Sequence, residues 1–267
     1  MPNPSEQRIK VAFEETEAGP QIALVTFDRP PVNAIDGPTK DQIISVAGEL
    51  ADRHDLGAVV LHGPRHFAAG DDIKEMATFD RGFAVQGHER ISEAVSAIAA
   101  IPVPVVAAVT GFALGGGCEL ALAADFRITA IDATWGLPEI HLGLIPGGGG
   151  TQRLPRLVGT ARAKKLIYLG DTITGAEAVE WGLADDGVPA DEVLAAATAL
   201  ATELASRAPL AMRAAKQAID IGVERDLAAG LVLEATLFGS IFSTQDAGAG
   251  LSSFVVDGPR KARFHGR

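Results

Sequence analysis

Two uninterrupted apolar runs constrain this chain most. Residues 56–61 (LGAVVL) and 103–109 (VPVVAAV) are each of strand length, and a continuous apolar run bounded by loops reads as a buried strand. Residues 126–131 form a third strand. Helical spacing fills the gaps. Residues 39–51 place Ile43, Val46, Ala47 and Leu50 on one stripe, and residues 73–79 and 84–100 follow the same period. Strands separated by helices pair in parallel through crossovers, so an α/β core is expected. Ahead of it, residues 9–13 and 22–27 flank the turn EETEAG and read as a hairpin. RPPVNAID (29–36) is loop, because its prolines fix φ and withhold donors.

The last third reads differently. No strand is expected after Val188, and residues 192–206, 210–221 and 227–242 have helical patterns. The last of these carries Leu231, Phe238 and Phe242 on one side and Val232, Leu233 and Leu237 on another. A helix apolar on two sides is buried on two sides, here against another subunit or against its own core. The expected division is an α/β core over 1–190 and a helical region over 191–267.

With 267 residues the chain suits one large domain or a core with an appendage. Acids outnumber bases by 34 to 23, a net charge of −11, so the basic footprint of a nucleic-acid binder is lacking. Only the end runs the other way, with Arg260, Lys261, Arg263 and Arg267 after the last acid, Asp257. Those residues form a solvated tail or touch a phosphate. A single cysteine, Cys118, allows no intrachain disulfide and points to a reducing compartment, the cytoplasm. No signal peptide is expected from MPNPSEQRIK. The uncharged run over 94–118 is broken by Pro102, Pro104 and glycines, so it reads as strand and turn rather than a membrane span.

Several chemistries find no motif. The glycine runs 115–117 and 147–150 fit neither a dinucleotide fingerprint nor a P-loop, and no G-x-S-x-G elbow occurs. His62 and His66 have helical ligand spacing, but Gly63 and Pro64 lie between them, so no metal site is expected.

Three segments remain. In PVVAAVTGFALGGGCELALAAD (104–125) a buried strand feeds a glycine turn and then an apolar helix. Glycines let a ligand approach unpaired N–H groups, and the helix N-terminus adds a positive dipole, a setting that can stabilise an oxyanion. Glu119 in the first helical turn either complements that dipole or is catalytic. Glu139, twenty residues on, stands among apolar and loop residues. It is either an exposed acid or cap, or a general acid of raised pKa. HFAAGDDI (66–73) follows a buried strand, where loops line binding crevices, and its Asp71 and Asp72 can also cap the next helix. Cys118 reads as a buried structural residue.

Together FAAGDDI (67–73), GFALGGGCELALAAD (111–125) and PEIHLGLIPGGGGTQRL (138–154) resemble the enoyl-CoA hydratase/isomerase (crotonase) superfamily in order and spacing, over nearly the whole chain. The resemblance implies a crotonase-like spiral of β-β-α repeats with a C-terminal helical region, assembled as a homotrimer or homohexamer. It implies an acyl-CoA thioester substrate whose carbonyl is polarised by the backbone N–H groups of Asp71 and Gly116. Ala68, Ala69, Gly70, Asp72, Ile73, Gly115 and Gly117 are the implied substrate and CoA contacts, and Arg260–Arg263 are candidates for the CoA phosphates. Hydratases of this kind carry two glutamates, here Glu119 and Glu139, which favours reversible addition of water to a 2-enoyl-CoA in fatty-acid or related acyl-CoA metabolism. Glu119 is expected to deprotonate the water and Glu139 to protonate Cα, with the roles open to sharing. No metal, redox cofactor, nucleic acid or membrane is implied. An enoyl-CoA isomerase working through Glu139 alone, and a non-catalytic acyl-CoA-binding protein, are the alternatives. One departure stands out: the family usually has a small apolar residue where Asp71 stands, so its side chain is expected to turn away from the oxyanion.

Overall fold

The computed structural model describes residues 7–16, 19–79 and 81–267, with the backbone alone for 81–88. The chain enters through the antiparallel hairpin β1 (Ile9–Glu14) and β2 (Gln21–Phe27), with Val11 opposite Val25. It then winds in a spiral. Each turn lays one strand in a main sheet, one short extended piece in a second layer, and then helix. The first turn runs from β2 through Ile35 into α1 (Gly37–Ala51), and the second from β3 (Leu56–His62) through residues 68–71 into α2 (Ile73–Met76) and α3 (Arg81–Ala99). The third is β4 (Val105–Val109), β5 (Phe112–Leu114) and α4 (Gly116–Leu122). The fourth is β6 (Phe126–Ala130), β7 (Thr134–Gly136), the 3-10 turn Pro138–Leu142, α5 (Gly150–Val158) and α6 (Thr160–Leu169). Strand β8 (Thr172–Thr174), α7 (Gly175–Trp181) and β9 (Asp186–Val188) close the spiral, and α8 (Val193–Ala205), α9 (Pro209–Gly222), α10 (Leu227–Phe242) and α11 (Gln245–Asp257) follow.

The main sheet has the order β1-β2-β3-β4-β6-β9 and is parallel from β2 onward. Every residue of β4, and all of β3 except His62, is buried, as the unbroken apolar runs require. The second layer holds β5-β7-β8, extended by single bridges from Ala68 to Ala113 and from Ile35 to Asp71. These three short strands were not legible as strands, because three-residue pieces carry no periodicity. Helix α4 packs tightly against this layer: a Cβ on Gly117 would stand 2.2 Å from the Ala68 carbonyl oxygen.

Helix starts follow local chemistry. Asp36 caps α1 by accepting from the Thr39 N–H, with Pro38 in the first turn. Thr174 and Glu177 form a reciprocal capping box on α7. The expected helix over 73–79 ends at Met76, and helices 150–158, 160–169, 175–181 and 245–257 had not been expected.

One expectation changes, and one open choice is decided. Helix α8 was assigned to a separate helical region, yet Val193, Ala197, Ala201 and Ala205 are fully buried or nearly so, and the helix packs on β3, β4 and β6. Its small residues permit close approach: a Cβ on Gly57 would lie 2.6 Å from the Ala205 Cβ. A division at residue 190 therefore cuts through one packed unit. Helix α10 does not pack on its own core. None of its residues is buried, and Leu227 and Phe238 are 77% and 68% exposed. Its neighbours are α9 and α11. The basic residues of the tail, Arg260, Lys261, Arg263 and Arg267, are all exposed, as a solvated tail requires, while its backbone is tied down: the buried Asp246 carboxylate accepts from the His265 and Gly266 N–H groups at 2.8 and 2.7 Å. Among the described residues no single helix is long and apolar enough to cross a membrane.

The Gly117 contact yields a test. Gly117→Ala meets rigid backbone and should destabilise the protein by about 1–3 kcal/mol, the usual cost of overpacking, read as a lower urea midpoint at fixed protein concentration. An unchanged midpoint would contradict the close packing of the two segments.

Candidate active site

Successive turns of the spiral stack their short segments, and the stacking delivers the candidate residues to one place. Ala68 pairs with β5 through Ala68 N–H to Phe112 at 2.9 Å and Leu114 N–H to Ala68 at 3.1 Å. On the opposite side, the Gly70 carbonyl and the Asp72 N–H bond to Ile35 at 2.8 and 3.0 Å. Backbone groups alternate along an extended segment, so the N–H of Asp71 points away from Ile35, toward the side where α4 begins. Gly116 is the first residue of α4, and its N–H is one of the orphan donors of a helix start. The preceding Gly115 gives its own N–H to the Gly136 carbonyl at 3.0 Å and takes a φ of +51°, a conformation that residues with a Cβ rarely adopt. A Cβ on Gly70 would lie only 3.4 Å from the Gly116 nitrogen, so the two donor-bearing segments are in contact.

Both glutamates reach this corner. Glu119 is 1% exposed, and its Oε1 accepts from the N–H groups of Gly148 and Gly150, each at 2.7 Å. Burial pushes its pKa up to about 8; the two N–H bonds oppose the rise, and the charges of Glu139 and Asp71 add to it. Glu139 lies in the 3-10 turn, and its Oε1 comes within 3.3 Å of where a Gly115 Cβ would stand. Its Oε2 is buried with no hydrogen-bond partner among the described residues. Burial raises Glu139 to about 7, with the charge of Asp71 adding to the effect. Near neutral pH the pair therefore holds a proton. The proton is shared by the pair, so either carboxyl can serve as the proton donor. Such a pair can give and take a proton within one site, beside two inward-facing N–H donors.

Asp71 does not simply turn away. Its Oδ1 pairs with Lys40 Nζ at 2.5 Å, but its Oδ2 stays beside Gly116, 2.9 Å from where a Cβ would stand. Asp72 is the helix cap: Oδ1 accepts from Lys74 and Glu75, and Oδ2 binds Arg29 at 2.7 Å, which holds its carboxyl below the usual range. Ala68 is fully buried and its N–H and carbonyl are spent on β5, so it is a structural rung rather than a substrate contact. The Ala69 N–H goes to Val32, and Ile73 is exposed. Burial pushes the Cys118 thiol well up, which keeps it inert. Arg260, Lys261 and Arg263 line a separate cleft of about 390 Å³ with Arg207 and Phe254. No group of His, Cys, Asp and Glu able to hold a metal occurs among the described residues.

Sequence reasoning missed several supports. Gly148 and Gly150 hold Glu119, and the signal was the glycine run itself: a Cβ on either would come within 3.0 Å of a Glu119 oxygen. Asn33 braces the 66–72 loop by donating to the His66 carbonyl at 2.7 Å, and nothing in RPPVNAID marked it. The raised carboxyls also bear on stability. Unfolded, Glu119 titrates near 4.5; folded, it keeps its proton up to about 8. The folded protein thus binds more protons across that window, and stability falls as pH rises through it. Glu119→Gln should gain stability relative to wild type from about pH 5 to about pH 8 and hold that gain above, by denaturant titration. A pH-independent difference would contradict the raised pKa.

Comparison with known proteins places this geometry. The family model described as enoyl-CoA hydratase/isomerase matches residues 17–267. The short-chain-enoyl-CoA hydratase of Clostridium acetobutylicum is 39% identical over 242 residues, 88% of this chain and 91% of that protein. The crotonyl-CoA hydratase of Syntrophomonas wolfei is 39% identical over 249 residues, 91% of this chain and 94% of the other. The crystal structure of enoyl-CoA hydratase from Bacillus anthracis superposes with a TM-score of 0.92 at 35% identity, covering 98% of this chain and all of that one. With its spiral fold and its paired carboxylates at a glycine turn, the chain belongs to the enoyl-CoA hydratase/isomerase family.

Proposed function

We propose that the protein is an enoyl-CoA hydratase, adding water reversibly across the C2–C3 double bond of a 2-enoyl-CoA to give a 3-hydroxyacyl-CoA. The observation that carries this reading is the pair Glu119 and Glu139, both raised into the neutral range beside the Asp71 and Gly116 N–H donors. The thioester oxygen accepts from those two N–H groups, which draws electron density from C3. One carboxylate takes a proton from water as the water oxygen bonds to C3. The other, protonated, delivers its proton to C2 as the enolate-like charge collapses. The pair holds one proton before and after, so atoms and charge balance with water alone. The reaction calls for no metal or redox cofactor, and coenzyme A arrives as part of the substrate.

Flanking contacts to the acyl-CoA come from Ala69, Gly70, Gly115 and Gly117, whose segments border the two donors. The exposed apolar faces of α10 and α11, with Val255 83% exposed, suit burial against other copies, as a homotrimer or homohexamer. The compartment is cytoplasmic, and the role is in fatty-acid or related acyl-CoA breakdown.

Loss of the conjugated thioester absorbance of crotonyl-CoA tests the reading. Wild type should turn over, and Glu119→Gln and Glu139→Gln should each lower kcat by about 10²–10⁴-fold while keeping the wild-type far-UV spectrum. Unchanged rates in the variants would overturn the paired-carboxylate mechanism. Binding without turnover would point to an acyl-CoA carrier, and conversion of a 3-enoyl-CoA without hydration to an isomerase.

A further inference from the structure

An oxyanion hole that uses the N–H of Asp71 has an acid built into it. The Asp71 carboxylate cannot be far from its own N–H, and its Oδ2 also lies beside Gly116, the bearer of the second donor. A bare anion there opposes negative charge developing on a thioester oxygen, and with the Asp71 side chain only 20% exposed, water screens it less than at the surface. The same anion pushes Glu119 and Glu139 upward, so its field reaches the whole site.

A counter-charge stands next to it. Lys40 projects from the buried face of α1, among Thr39, Ile43 and Ala47, and is only 4% exposed. Its Nζ sits 2.5 Å from Asp71 Oδ1. Lysine is almost never this buried unless paired. The cation of the neighbouring loop, Arg29, is committed to Asp36 and Asp72 and does not serve Asp71.

We propose that Lys40 is a positioning residue for hydration. Its ammonium anchors the Asp71 carboxylate by one oxygen and cancels its charge, so that the Asp71 and Gly116 N–H groups act on the thioester oxygen unopposed. The inference rests on the hydratase reading above. It makes Lys40 and Asp71 one unit: either both charges are present, or neither.

The test is a double-mutant cycle read two ways. The first readout is steady-state hydration of crotonyl-CoA. The second is the enolate absorbance of bound acetoacetyl-CoA, whose negative charge is shared between the thioester oxygen and the C3 oxygen, so the same donors are probed without turnover. Lys40→Met should lower kcat by about a hundredfold, the scale of losing an oxyanion donor, with KM changed less than about threefold. It should lower the bound enolate fraction in parallel. Lys40→Met/Asp71→Ala should recover at least about tenfold in kcat over Lys40→Met and regain the enolate signal, because no unpaired charge remains. Lys40→Met within about threefold of wild type, or a double variant no better than the single, would overturn the proposal. If Lys40→Met does not fold, the cycle is read in the Asp71→Ala background. There, removing Lys40 should cost less than about threefold, and a larger loss in a folded double variant would overturn it. Wild type that fails to hydrate crotonyl-CoA defeats the hydratase reading, whereas active wild type with an indifferent Lys40→Met defeats only the role of Lys40.

Discussion

Backbone hydrogen bonds between three short segments carry the rest of this structure. Ala68 bonds to Phe112 and Leu114, and Gly115 bonds to Gly136, so consecutive turns of the spiral are held in register a strand's width apart. None of these segments is long enough to be stable alone. They are held because each hangs from a buried strand of the main sheet: β3, β4 and β6. The main sheet supplies the burial, and the second layer supplies the placement. Where the second layer gives way to helix, it leaves the N–H groups of Asp71 and Gly116 pointing into one corner.

The same corner is costly for charge. Two carboxyls sit there at about 8 and about 7, because burial penalises their ionised forms more than their partners compensate. Gly148 and Gly150 hold Glu119 by one oxygen and leave the other for exchange with the site. A raised carboxyl lowers stability at neutral pH, and this protein carries two of them beside a third acid, Asp71. The cost fits the proposed mechanism, in which the site holds a proton and releases it in one turnover. A purely structural corner would be better served by apolar side chains.

Much of this was legible in the sequence, and for physical reasons. The strands LGAVVL and PVVAAV announce themselves because burial on both faces leaves no room for polar residues, and helix 227–242 is found with its ends in place. The glycine turn, Glu119 and Glu139 were visible because glycine and isolated acids are rare in apolar surroundings. What was not legible depends on neighbours distant in sequence. Lys40 looks like any helical lysine until Asp71, thirty-one residues on, is folded against it. The three-residue strands of the second layer have no pattern to read, since their partners alone make them strands. Helix α8 was placed in the wrong unit because its alanine stripe does not say which surface it meets. The two apolar sides of α10 are plain in the sequence, but whether its own core covers either of them needed coordinates.

A crystal structure with acetoacetyl-CoA bound tests the central claim most directly. The account predicts the thioester oxygen within about 2.7–3.1 Å of both the Asp71 and Gly116 nitrogens, with the β-carbon facing the carboxyls of Glu119 and Glu139. A thioester oxygen bound by other donors, or a β-carbon turned away from both carboxyls, would contradict it.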